Sequence, residues 1–218
     1  MLTQLEQRVL ATLAYSHLFE YPLLAEEVYH RLVSSEVIES NQDSSQKVDF
    51  NQVEQALQKL VKKGKIAQEQ DYFFLKSAAG SWVKQRKRRN SNFLEKLSEL
   101  RPLLRLARRL PQVQAIALTG SLAVKNADLK EDIDLLVVTM ADGLWGVRFL
   151  FLAYASLLGK RGWPGQVRPQ EWCFNLWLSD SSLKVRADKR NLYTAYELSQ
   201  VFWIYDQADF ASRFLKEN

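Results

Sequence analysis

Residues 115–139 read AIALTGSLAVKNADLKEDIDLLVVT, and the reading of this stretch decides the fold. The apolar run at 115–118 is short and stops at Gly120-Ser121, the pattern of a buried strand that ends in a turn. A polar stretch follows, and Asp132-Ile133-Asp134 opens a second apolar run at 135–138. Strand side chains two apart share a face, so Asp132 and Asp134 project together while Ile133 turns to the core. Two carboxylates about 7 Å apart along a strand suit a hard divalent cation, which prefers charged oxygens and keeps part of its water shell. Gly120 allows close backbone approach, and the amides and hydroxyl that follow it can cradle a phosphate. A phosphate cradle beside paired carboxylates is the equipment of phosphoryl or nucleotidyl transfer.

The pattern resembles the nucleotidyltransferase superfamily of the DNA polymerase beta-like, minimal nucleotidyltransferase type: a strand, Gly-Ser, a short helix, and Asp-x-Asp on the next strand. The resemblance covers residues 111–218. It implies a mixed β-sheet with packed helices, Mg2+ as cofactor and an NTP as substrate. Asp132 and Asp134 are then the catalytic pair that holds the metal, and Gly120 and Ser121 seat the β- and γ-phosphates. The superfamily carries a third carboxylate on a later strand. Here the next strand-like run is residues 171–178, EWCFNLWL, and beside the Asp-x-Asp strand it puts Asn175 at the third metal position. Asparagine offers Mg2+ a neutral oxygen but no charge, and it is a poor general base. Glu171 has the same parity but lies roughly 13 Å away along a strand. Two functions follow from this departure: an enzyme that moves a nucleoside monophosphate from an NTP to an acceptor, or a catalytically weak fold that binds nucleotide as a regulator. Downstream, Asp188 is read as the N-cap of a helix carrying Leu192, Ala195, Tyr196 and Ser199, with Lys189 and Arg190 in its first turn within reach of a triphosphate. Residues 202–214 read as one amphipathic tail.

Composition bounds the rest. The chain has 218 residues, 47% hydrophobic and 25% charged, enough for two small domains with a real core. Cys173 is the single cysteine, which excludes an intrachain disulfide. A lone cysteine also predicts no cysteine-based metal site, and its place in an apolar strand predicts a small buried hydrophobe. The first residues lack a basic start followed by an apolar block, and residues 144–158 are too short to span a bilayer and read as a buried helix. The sequence therefore predicts a cytoplasmic protein without membrane contact.

The net charge of +5 is unevenly spread. Residues 1–76 carry 8 basic against 11 acidic side chains, residues 77–110 carry 10 against 2, and residues 111–218 balance at 12 each. The basic segment contains Lys84, Arg86, Lys87, Arg88 and Arg89, then Arg101, Arg105, Arg108 and Arg109. Phe93, Leu97, Leu100 and Leu104 recur at helical spacing, the pattern of an amphipathic helix or helix pair, and Pro102 marks a break or a second helix start. Two readings fit this connector: a phosphate-facing surface for nucleic acid, or a solvated helix face.

Residues 1–76 read as a separate domain. Leu5, Val9, Leu10 and Leu13 stripe a first helix, and Leu24, Val28, Tyr29 and Leu32 a second. Residues 34–47 are polar and low in aromatics and read as a loop or a partly disordered insertion. Asp49 caps a third helix with Val53, Leu57, Leu60 and Val61, Gly64 ends it, and residues 65–67 and 72–75 form a hairpin. Three helices followed by a hairpin resemble a winged helix, so the fold class is α+β: an N-terminal winged helix joined to a nucleotidyltransferase-fold sheet. The third helix offers Gln52, Gln55 and Gln58 for base reading and Lys59, Lys62 and Lys63 for phosphates, but a net-negative domain equally suits protein docking. A nucleic acid or a protein partner would thus engage residues 1–110. His17 and His30 are read as packing or surface residues.

Overall fold

A computed structural model describes residues 2–33, 48–77, 81–162, 171–207 and 209–218. The polar stretch 34–47 lies outside the described residues, as does Trp163-Pro164-Gly165, a sequence that reads as a turn. The architecture is α+β with two sheets, in two compact units, Met1–Lys87 and Arg88–Asn218. The helical segment read as a connector is divided between them. No helix of the described residues is long and apolar enough to cross a membrane.

In the first unit, α1 (Gln4–His17) begins with a reciprocal cap. The Glu6 N–H donates to the Thr3 hydroxyl at 3.2 Å, and the Thr3 N–H donates to the Glu6 carboxylate at 2.8 Å. The same carboxylate receives Lys63 Nζ at 2.7 Å, which ties α1 to the end of the third helix. After β1 (Leu23–Leu24) and α2 (Ala25–His30) comes α3 (Phe50–Lys62), capped by Asp49 through the Gln52 N–H at 2.8 Å. It buries Val53, Ala56, Leu57 and Leu60. Gly64, at φ +65, stops it in the left-handed region that suits glycine. The hairpin is β2 (Ile66–Glu69) and β3 (Tyr72–Leu75), and β1 adds to it in the antiparallel order β1-β3-β2. The sequence reading missed β1 because two residues carry no alternation to detect. His17 packs its ring against Trp82 at 4.8 Å and His30 is exposed, as expected of both.

The helix α4 (Trp82–Ser98) carries the unit boundary. Its Arg86 corrects the sequence reading, because it is neither solvated nor phosphate-facing. The side chain is buried, with Nη2 on Glu27 at 2.7 Å, Nη1 donating to the Pro22 carbonyl, and the guanidinium 4.2 Å from the Tyr21 ring centre and 4.8 Å from that of Tyr72. Arg88 pairs with Asp128 at 2.8 Å, and Arg89 donates to Asn126 at 3.2 Å.

In the second unit, α5 (Arg101–Ala107) starts with Pro102 in its first turn, as expected. Then come β4 (Val113–Leu118), α6 (Gly120–Ala123), β5 (Ile133–Thr139), α7 (Leu144–Leu157), β6 (Trp172–Ser179), α8 (Leu192–Ser199), β7 (Phe202–Asp206) and α9 (Phe210–Glu217). The sheet runs β6-β5-β4-β7, with β5 and β6 parallel and the other pairs antiparallel. The two central strands are apolar over 115–118 and 135–138 because both faces are covered there. Ile116, Leu118, Leu135 and Val137 join Leu103 and Phe151 on one side, and Ala115, Ala117, Leu136 and Val138 join Phe210 and Phe214 on the other. Two expectations are corrected here. Residues 202–214 are not one tail: Phe-Trp-Ile-Tyr is a strand-forming run that pairs with β4, and only α9 is helical. The helix at α7 buries Val147, Phe151 and Ala155 but leaves Trp145 and Phe149 exposed, so it is half buried.

Candidate functional site

The site is built where β4 ends beside the start of β5. The Thr119 N–H donates to the Asp134 carbonyl at 3.0 Å, which fixes the Gly-Ser turn against the Asp-x-Asp segment. Gly120 has φ +62, and a Cβ there would lie 2.7 Å from Asp134 Oδ2. Only glycine fits both constraints. Ser121, next in the turn, donates its hydroxyl to Glu131 at 2.6 Å. Asp132 and Asp134 do share a face, and each offers a carboxylate oxygen within 4.8 Å of the other's and of Cys173 Sγ.

The β6 residue paired with Asp134 is Cys173, two positions before Asn175. In the parallel pairing Asp134 stands opposite Cys173, but Leu136 stands opposite Leu176, so β6 carries one extra residue between the two pairs. Asn175 lies between these two pairs, where the bulge interrupts the register, and it is exposed. Cys173 is correspondingly not the buried hydrophobe expected of it. It is half-buried against two carboxylates, and burial with the Asp134 charge pushes its thiol up to about 12. Asp134 is pushed up to about 6, first by burial and then by the Asp132 charge, with further contributions from Glu197 and Glu131.

Two residues here escaped the sequence reading. Lys96 of α4 is wholly buried, and its Nζ donates to the Glu131 carbonyl at 2.5 Å. Burial pulls its pKa down, while Glu131, Asp132, Asp128 and Asp134 oppose that by favouring the ammonium. A lysine in a basic helix gave no sign of facing inward. Glu197 of α8 is half-buried, with its carboxyl raised by burial, and its charge is felt at Asp134. The proposed triphosphate contacts stand differently from the reading. The helix cap is Asn191, which accepts the Thr194 N–H at 2.9 Å, while Asp188 pairs with Arg186 at 3.1 Å. Lys189 closes a 3-10 turn (Ala187–Lys189) and Arg190 precedes the cap; both are exposed, with Arg190 Nε donating to the Val185 carbonyl at 3.2 Å.

Chemically, two carboxylates forced together in a half-buried site are a place where a divalent cation relieves repulsion. Asp132 and Asp134 fit Mg2+ in charge and donor type, whereas the thiol of Cys173 does not. No family model, curated protein or solved structure matches the chain.

Proposed function

We propose that this protein is a nucleotidyltransferase-fold enzyme that transfers a nucleoside monophosphate from an NTP to an acceptor, with a winged helix as its N-terminal unit. The observation that carries the reading is the seating of Gly120 against Asp134 Oδ2, which brings the Gly-Ser turn onto the carboxylate pair. Asp132 and Asp134 hold Mg2+, which supplies neutralisation of phosphate charge when bound. Gly120 keeps the space beside the carboxylates clear for a phosphate, and the Ser121 hydroxyl can exchange Glu131 for a phosphate oxygen. Lys189 and Arg190 are exposed cations available to the outer phosphates. The three helices and the β1-β3-β2 sheet support the winged-helix reading, and α3 exposes Glu54, Gln55, Gln58, Lys59 and Lys62 for a nucleic acid or protein partner.

A second reading, a nucleotide-binding regulator without transfer, is favoured by one observation: a thiol and not a third carboxylate stands opposite Asp134. Incubating the protein with α-labelled NTPs and Mg2+ separates the two. Label transferred to an acceptor or to the protein itself, and lost in Asp132→Asn, supports the enzyme. Nucleotide binding without transfer supports the regulator, and absence of nucleotide binding that depends on a divalent metal, whether Mg2+, Zn2+ or Co2+, overturns both.

A further inference from the structure

The third donor at the carboxylate pair is sulfur. Three observations argue that its position is functional. First, the donor atoms of Asp132, Asp134 and Cys173 all lie within 4.8 Å of one another, close enough for a small contraction to bring them around one ion. Second, β6 pairs Cys173 with Asp134, while the oxygen-bearing Asn175, where the bulge interrupts the register, is exposed. Third, Thr119 is 3% exposed, and its hydroxyl is buried without a hydrogen-bond partner among the described residues. Its backbone is extended (φ −126, ψ −179) and continues the pairing of Leu118 with Leu135 by one step, opposite Asp134. Residues directly opposite in an antiparallel pair share a face, so this hydroxyl is directed to the side of the sheet that carries the Asp134 carboxylate.

We infer that Cys173 ligates metal together with Asp132 and Asp134, so that this site selects a borderline divalent ion such as Zn2+ or Co2+ over Mg2+. The inference rests on the proposed function for the role of the Asp pair and departs from it in the metal. Hard cations take oxygen donors, whereas thiolate favours Zn2+ and its neighbours in the transition series. Binding forms one metal–sulfur bond and releases the thiol proton to solvent, with no change of oxidation state. Thr119 would supply a weak oxygen donor or hold a metal-bound water.

Because Cys173 is the only cysteine, a sulfur-to-cobalt charge-transfer band can arise only from it. Titrating the full chain anaerobically with Co2+ should produce that near-ultraviolet band, displaced by Zn2+ but not by excess Mg2+. Cys173→Ser should abolish the band and weaken Zn2+ binding by at least about 10-fold, the scale of losing a metal-site partner. Zn2+ should also slow alkylation of Cys173 by a maleimide in the wild type, a measurement that needs no variant. Cobalt bound without the band, or unprotected alkylation at saturating Zn2+, overturns the inference. If either result is found while Asp132→Asn still abolishes Mg2+-dependent NTP binding, the proposed function survives and only the sulfur ligand is rejected. If Asp132→Asn changes neither metal nor nucleotide binding, the site reading itself fails.

Discussion

Asp134 is costly to the fold without a cation, and the cost has a pH signature. Its carboxyl titrates near 6 in the folded protein against 3.8 as its ordinary value, so the folded state holds the proton more tightly than the unfolded chain. That stability is fully present below about pH 4 and is lost as pH rises through about 6. A rise of roughly two units corresponds to about 3 kcal/mol as an upper bound. Asp134→Asn, which cannot ionise, should therefore stabilise the metal-free protein by up to about 3 kcal/mol at pH 7.5, with no gain at pH 4. Denaturant melts at both pH values, with a chelator present, measure this; equal stability at pH 7.5 would remove the electrostatic account. The neighbouring glycine has the opposite sensitivity. Gly120→Ala combines a left-handed φ of +62 with a clash against Asp134 Oδ2. It should cost about 1–3 kcal/mol and weaken metal binding in the same preparation.

The elements show where sequence pattern carries structure and where it does not. Asp49, Gly64, Pro102 and the two apolar runs around Gly120 act locally, through caps, a left-handed stop and alternation, and the helices and strands they predict are present. The Asp132–Asp134 pairing was legible for the same reason, since a period of two needs no tertiary information. Cys173 was not legible as a neighbour of the pair, because one extra residue in β6 shifts the register and nothing in FNLWL marks the bulge. Nor were Lys96 and Arg86, since an inward-facing cation differs from its solvated neighbours only in what the fold puts beside it. Lys96→Met tests this at the level of the α4 helix. It strands the Glu131 carbonyl and removes the buried cation among four carboxylates. The expected loss is about 1–3 kcal/mol, larger at pH 8 than at pH 5 because Asp134, pushed up to about 6, gains its charge between the two. Arg86→Leu should cost about 3 kcal/mol, as it removes the nearest cation from Glu27 and the guanidinium donor from the Pro22 carbonyl.

For the molecule as a whole, the basic bias of residues 77–110 is only in part a surface, because Arg86 and Lys96 are buried while Arg101, Arg105, Arg108 and Arg109 are exposed. Arg86 is internal, and Arg88 is held by Asp128, so neither is a primary candidate for phosphate. Arg101, Arg105, Arg108 and Arg109 are all exposed, and the first three follow one another at i, i+4 and i+7 along one helix face. If this protein engages nucleic acid through that face, each arginine that meets a phosphate releases counterions and the affinity falls with salt. Replacing the four arginines by Ser should weaken binding to DNA or RNA and flatten the salt slope by up to about four units, near one for each arginine removed from a phosphate. Folding should be little affected, because exposed substitutions shift stability by less than about 0.5 kcal/mol each. Replacing Arg86 alone should do the reverse, lowering stability while leaving the salt slope unchanged. Fluorescence anisotropy across a salt series, paired with denaturant melts of the same variants, separates the two effects. A salt slope unaltered by removal of all four arginines would assign this face to solvent and leave α3, with Gln55, Gln58, Lys59 and Lys62 outward, as the surface to test against a protein partner.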